Sequence, residues 1–137
     1  MTKRKLTTVI DCNIIISAGM SDGNCRQVIS NILKNHQNYI CQEILLEYKE
    51  VINRKKFQNY KLRLLSLVKI ICEHSILVKI DDIKNAPKLP DQDDEIYLKT
   101  AIKGDCDFLI TGNLKDFPQS KYLQTQIISA KNFLNFS

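Results

Sequence analysis

The chain has 137 residues, 44% hydrophobic and 26% charged, and a net charge of +5 from 20 Lys and Arg against 15 Asp and Glu. This is a globular balance sized for one domain spanning residues 1–137, and it excludes a disordered chain. Four Gly, three Pro and the lack of a visible repeat argue against collagen-like and solenoid architectures.

In chain order, Leu6 to Ile10 reads as a buried strand that ends at Asp11. Residues 13–24, with Ser17, Gly19, Ser21 and Gly23, read as a loop. A helix is predicted from Cys25 to Lys34, and a short strand at Tyr39 to Cys41. Residues 42–53 repeat Ile44, Leu45, Tyr48, Val51 and Ile52 at helical spacing. Phe57 to Cys72 reads as a second, widely apolar and well-buried helix, followed by a strand at Ser75 to Val78. A polar loop at 81–90 leads into a helix from Asp91 to Lys103, with Gly104 as its stop. Asp107 to Ile110 and Gln126 to Ile128 are the last two strands, and Ser129 is placed to cap a terminal helix carrying Phe133 and Leu134. Strands alternating with helices imply a parallel sheet covered on both faces, with the working site beyond the strands' carboxyl ends at a topological switch point.

Several carboxylates stand where apolar residues are expected. On the 42–53 helix, at about 100° per residue, Glu43 and Glu50 fall opposite the apolar stripe, whereas Glu47 lies within about 40° of Val51. Asp94 heads the inward stripe of Tyr97, Leu98, Ala101 and Ile102, and Asp91 sits at its cap. Singly, each has a structural reading: a turn residue at Asp11, a salt bridge at Glu47, a cap and dipole partner at Asp91 and Asp93. Together, three inward acids on converging elements favour a site for a hard cation, Mg²⁺ or Mn²⁺.

No histidine or cysteine spacing suggests zinc. The five cysteines are odd in number and form no Cys-x-x-Cys pair, which points to reduced thiols in a cytosolic protein. Cysteine–histidine catalysis would depend on His36 or His74, neither of which sits in a partner motif. No apolar run reaches the ~18 residues of a membrane span. The richest, Leu64 to Ile80, is broken by Lys69, Glu73, His74 and Lys79. Asp11 interrupts the apolar segment behind the basic Met1-Thr2-Lys3-Arg4-Lys5, so no signal peptide is expected. If Asp11, Glu47, Asp91, Asp94 and Asp116 gather at one site, the rest of the surface sets 20 bases against ten acids. A basic surface around an acidic pocket suits a polyanion held over a metal.

Four segments carry a more specific pattern. Val9-Ile10-Asp11-Cys12-Asn13-Ile14-Ile15-Ile16-Ser17 is a strand followed by Asp-x-Asn and a small-residue turn. Glu43 to Val51 centres on Glu47 and is followed by Arg54-Lys55-Lys56-Phe57. Asp91-Gln92-Asp93-Asp94 precedes a helix, and Asp105 to Phe117 contains a strand ending in Thr111-Gly112-Asn113 with Asp116 nearby. In this order and setting, nearly the whole chain resembles the PIN-domain ribonucleases of bacterial toxin–antitoxin systems.

The resemblance implies a three-layer α/β/α sandwich with a five-stranded parallel sheet. It implies Mg²⁺- or Mn²⁺-dependent cleavage of single-stranded RNA by a cytoplasmic homodimer or higher homo-oligomer, inhibited by a small protein antitoxin. Asp11, Glu47 and Asp94 would then be catalytic and metal-ligating, with Asp116 completing the catalytic set. Asn13, Ser17, Asp91, Thr111 and Asn113 would support them. Two residues depart from the pattern: Gln92 replaces the usual Pro, and Asn113 stands where many members have a fourth Asp. Asn113 removes one negative charge, which favours a second reading, a catalytically weakened PIN domain that binds RNA or a protein without cutting. A receiver-like phosphoacceptor would need an acidic pair near the N-terminus, which the first strand lacks, and a plain small-molecule-binding α/β domain has no glycine-rich phosphate loop to support it.

Overall fold

The computed structural model describes residues 4–137, so Met1, Thr2 and Lys3 of the basic N-terminal run lie outside the described residues. The elements are β1 (Thr7–Ile10), α1 (Cys12–Met20), α2 (Asn24–Asn35), β2 (Gln37–Ile40), α3 (Gln42–Ile52), α4 (Lys61–Glu73), β3 (Ser75–Leu77), α5 (Glu95–Lys103), β4 (Phe108–Ile110), β5 (Lys121–Tyr122), β6 (Thr125–Ile128) and α6 (Ala130–Phe136). A six-residue 3₁₀ segment occupies Lys55–Tyr60, and single 3₁₀ turns occupy Gln92–Asp94 and Leu114–Asp116.

The sheet order is β3-β2-β1-β4-β6-β5. The chain steps outward from β1 through β2 to β3, then returns to the other side of β1 at β4. All pairs are parallel except β5 with β6. Right-handed crossovers place helices on opposite faces when the direction of travel reverses, which gives the expected three-layer sandwich. In it, α1 packs on α2 and α4, α2 on α6, and α5 across β1, β2 and β4. Val9, Ile10, Leu109 and Ile110 on the central strands are almost wholly buried, as a doubly covered sheet requires.

The sheet has six strands, not the expected five, and its edge is antiparallel. The extra strand β5 is two residues long and turns back through Leu123 and Gln124. Leu123 adopts φ 53° without the Asn or Gly that normally marks such a turn. The predicted loop at 13–24 is largely helix α1. Ile14, Ile15, Ala18 and Gly19 are its buried face. Gly19 serves close packing, because a Cβ there would lie 2.3 Å from Leu64 Cδ2 on α4.

The helix expected from Phe57 begins as 3₁₀ and becomes α only at Lys61. It buries Leu64, Val68 and Ile71 but leaves Leu62 84% and Ile70 42% exposed, so it is one-sided and not deeply buried. The 91–103 helix likewise opens as 3₁₀ at Gln92–Asp94. Gly104 does end α5, but with φ −88°, and Asp105 takes the left-handed conformation at φ 49°. Glycine at 104 answers crowding: a Cβ would meet Tyr39 Cδ2 at 2.9 Å. The Ser129 cap is as expected, its hydroxyl accepting from the Asn132 N–H.

Candidate functional site

Strands β1 and β4 are neighbours and lie on either side of the point where strand order reverses. Their carboxyl ends deliver Asp11 and Thr111 side by side. Asp11 is 5% exposed and occupies the N-cap position of α1. Its carboxylate does not close a side-chain cap on that helix. It turns instead to the Thr111 hydroxyl, which donates to Oδ2 at 2.8 Å. Burial pushes the Asp11 carboxyl up, the Thr111 hydrogen bond and the nearby N–H groups of Cys12 and Asn13 oppose this, and Asp116 pushes it further up.

The β4 turn is built around this pair. Thr111 is fully buried, and its oxygen also accepts from the Asn113 N–H at 3.0 Å. Asn13 Oδ1 accepts from the Gly112 N–H at 2.8 Å, while its Nδ2 approaches Asp11 and Thr111 at 3.4 Å. A Cβ on Gly112 would press on Asn13 Oδ1 at 3.3 Å, so the turn and Asn13 fit each other closely. The Asn113 side-chain amide donates to Asp116 Oδ2 at 2.8 Å. It thus holds the carboxylate that follows it.

Glu47 comes from α3. It belongs to none of the four ion pairs among the described residues, so the salt bridge that would account for it structurally is not there. Its partner is the Tyr97 hydroxyl, which donates to Oε1 at 2.6 Å. Burial raises the Glu47 carboxyl, the Tyr97 bond lowers it, and repulsion from Asp11, Asp93 and Glu50 raises it again.

Asp94 stands at the junction of the 3₁₀ turn and α5 without capping the helix. Its carboxyl is pushed up to about 7, first by burial, then by repulsion from Asp11, Asp116, Asp91 and Glu47. Its Oδ2 is a buried polar atom with no hydrogen-bond partner. Asp91 plays the expected cap role, accepting from the Asp93 N–H at 3.0 Å. Ser17 is exposed and pairs with the Cys25 thiol, so it lines the site without reaching Asp11.

The charges of Asp11, Glu47 and Asp116 all act on Asp94, Asp116 also acts on Asp11, and Asp11 acts on Glu47, so the four acids lie within electrostatic reach of this one region. Among the described residues, no three His, Cys, Asp or Glu side chains stand in a geometry ready to cage an ion. The donor set is all oxygen, it is anionic, and it includes one unpartnered buried atom. Such a set fits Mg²⁺ or Mn²⁺, which keep several waters and bind through one or two carboxylates.

Next to Asp11 opens a cavity of about 320 Å³ lined by Asn13, Ser17, Val51, Arg54, Lys56 and Phe57 among others. Arg54 is tethered to Glu50 at 3.0 Å, and Lys56 lies over the Phe57 ring at 5.1 Å from its centre. A larger cavity of about 410 Å³ between β6 and α6 holds none of the four acids.

Burial raises the Cys12 thiol to about 12, with Glu47 and Asp11 adding to the effect, so it cannot serve as a thiolate beside the acids. All five cysteines are free thiols. Among the described residues no helix is long and apolar enough to cross a membrane. Sequence reasoning assigned Tyr48 and Tyr97 to the core; both have a hydroxyl that reaches the acid-bearing elements. The signal was their type, since a buried Tyr generally finds a hydrogen-bond partner.

A family model described as PIN domain matches residues 7–115. The structure is similar to a chain of the crystal structure of VapBC2 from Rickettsia felis bound to a DNA fragment from their promoter. The TM-score is 0.61 at 15% identity, over 90% of this chain and 98% of that one, a likeness of fold. No curated protein matches the sequence.

Proposed function

The chain belongs to the PIN-domain family, and from that membership we propose that it is a divalent-metal-dependent endoribonuclease acting on single-stranded RNA. The observation that carries the proposal is Asp94: a carboxylate lifted to about 7 by burial and four neighbouring acids, with a buried oxygen that nothing in the protein satisfies. Crowding of this kind leaves negative charge that no protein cation offsets, and a bound divalent cation would relieve it.

Asp11, Glu47 and Asp94 would hold the ion, with Asp116 at its margin. A bound Mg²⁺ or Mn²⁺ supplies Lewis-acid chemistry, acidifying water and offsetting charge on the phosphate. The protein's own groups do the rest. Thr111 and Asn13 fix the orientation of Asp11. One of the clustered carboxylates would orient or deprotonate the attacking water, and Asp94 Oδ2 is the one buried side-chain oxygen among the described residues that no protein group satisfies. Arg54 and Lys56 in the adjoining cavity face the phosphodiester backbone, and Phe57 offers a ring on which an unpaired base stacks. The basic surface and the stacking ring together favour a single strand over a duplex.

The family resemblance extends the proposal to a toxin held by a small protein antitoxin, a homodimer or higher homo-oligomer, in the cytoplasm. Free thiols suit that compartment. Exposed Ile70, Ile76 and Leu77, on α4 and the edge strand β3, offer apolar area for protein contacts.

The test is cleavage of a mixed single-stranded RNA panel with Mg²⁺, Mn²⁺ or EDTA, beside Asp94→Asn. Metal-dependent cutting by the wild type alone is expected. Equal cutting by the variant would refute the site. RNA binding without cutting under any metal would favour the weakened domain, to which Asn113 points because its amide is a hydrogen-bond donor to Asp116 and not a carboxylate.

A further inference from the structure

Three elements must hold their carboxylates at a fixed spacing although the carboxylates repel: β1 with Asp11, α3 with Glu47 and α5 with Asp94. Asp11 and Asp94 each sit at the end of a short link to their element, so backbone packing goes far to place them. Glu47 is different, because its side chain has three rotatable bonds and three acidic neighbours to avoid, Asp11, Asp93 and Glu50. It would turn to solvent unless something held it.

Two buried tyrosines stand at the centre of this arrangement. Tyr97 lies one turn beyond Asp94 on α5, is fully buried, and donates to Glu47 Oε1 at 2.6 Å. Tyr48, next to Glu47 on α3, is also fully buried and donates to the carbonyl of Ile10, the residue before Asp11. The two rings pack at 6.5 Å between centroids with an interplanar angle of 34°. α5 is thereby linked to α3, and α3 to the end of β1, by two hydroxyls and one ring contact.

We propose that Tyr97 is a positioning residue: its hydroxyl engages one Glu47 oxygen, keeps the carboxylate inside the acid cluster, and leaves the second oxygen for the ion. Tyr48 ties the same helix to the Asp11 strand. The inference rests on the metal-dependent reading of the site. A hydroxyl present only to satisfy its own buried polarity would leave ion uptake untouched when removed. A hydroxyl that orients a ligand would not, and losing an orienting partner of this kind typically weakens metal affinity about 10–100-fold.

The experiment is calorimetric titration of the intact chain with MnCl₂, without RNA, for wild type, Tyr97→Phe, Glu47→Gln and the double variant. Thermal melts in EDTA report the fold of each. Tyr97→Phe is expected to weaken Mn²⁺ binding about 10–100-fold while its melting in EDTA stays close to that of the wild type. In the Glu47→Gln background the same substitution is expected to cost nothing further, since its effect runs through Glu47. Unchanged Mn²⁺ affinity in a folded Tyr97→Phe protein would overturn the inference. So would a penalty of full size in the Glu47→Gln background, which remains informative if the single variant melts early. A wild type that takes up no Mn²⁺ would instead remove the metal-dependent reading, and this inference with it.

Discussion

Replacing Asp94 with Asn should stabilise the ion-free protein. Asp94 is carried from its ordinary value of 3.8 to about 7, chiefly by burial and then by Asp11, Asp116, Asp91 and Glu47. At 1.36 kcal/mol per pK unit, a dry site would make the ionised form cost about 4 kcal/mol. The side chain is only partly buried, and solvent screening reduces the cost to about 1–2 kcal/mol. Because the folded value lies above the unfolded one, the native state binds the extra proton, and wild-type stability falls as pH rises between the two. The advantage of Asn is therefore absent below about pH 4, grows to about pH 7 and is constant above. For a chain of this size it corresponds to a melting midpoint higher by about 3–8 °C at pH 8. The assay is a calorimetric melt in EDTA at low salt from pH 4 to 8, repeated with MnCl₂. With the ion present the order should reverse, because only the wild type retains the ligand. An Asp94→Asn protein that melts at or below the wild type at pH 8 in EDTA, or a gap that ignores pH, would refute the crowded-carboxylate account.

Lys56→Gln, in the Asp94→Asn background to prevent cutting, should weaken single-stranded RNA binding in filter assays. It should also make the plot of log K against log salt shallower by about 0.7, the share of one phosphate contact. Asn113→Asp removes the amide that holds Asp116 Oδ2 and adds a like charge. Its melts should show a loss of about 1 kcal/mol in EDTA at pH 8, recovered when MnCl₂ is added.

The three-layer architecture was legible because the strands and helices alternate and their apolar periods are clean. The switch-point location followed from topology alone, and Asp11 with Thr111 occupies it. Asp94 and Glu47 were legible as acids on apolar stripes, an arrangement that local propensity does not favour. What escaped was set by tertiary packing. Gly19 reads as a loop residue in sequence, yet it is the contact point of two helices, where Leu64 leaves no room for a Cβ. Gly104 ends the helix as read, but the left-handed residue that follows a helix end falls at Asp105, which nothing in the sequence marks. The β5–β6 hairpin turns through Leu123 and Gln124, with no residue that signals a turn. Tyr97 looked apolar because its spacing was apolar, and only the position of Glu47 across the helix interface gives its hydroxyl a task.

The distribution of counter-charge separates this cluster from an ordinary buried network. The chain has 20 Lys and Arg, and its ion pairs among the described residues are Arg4–Asp107, Arg26–Asp22, Arg54–Glu50 and Lys103–Asp82. None involves Asp11, Glu47, Asp94 or Asp116. Three of them are steadied by neutral donors instead, Thr111 to Asp11, Tyr97 to Glu47 and Asn113 to Asp116, while Asp94 Oδ2 has no donor at all. Neutral donors fix a carboxylate's direction without cancelling its charge. A lysine in the same place would stabilise the free protein and compete with any cation for the site. With only hydroxyls and an amide as partners, the negative charge is retained, while Arg54 and Lys56 line the same cavity as Asp11, where a polyanion would meet them.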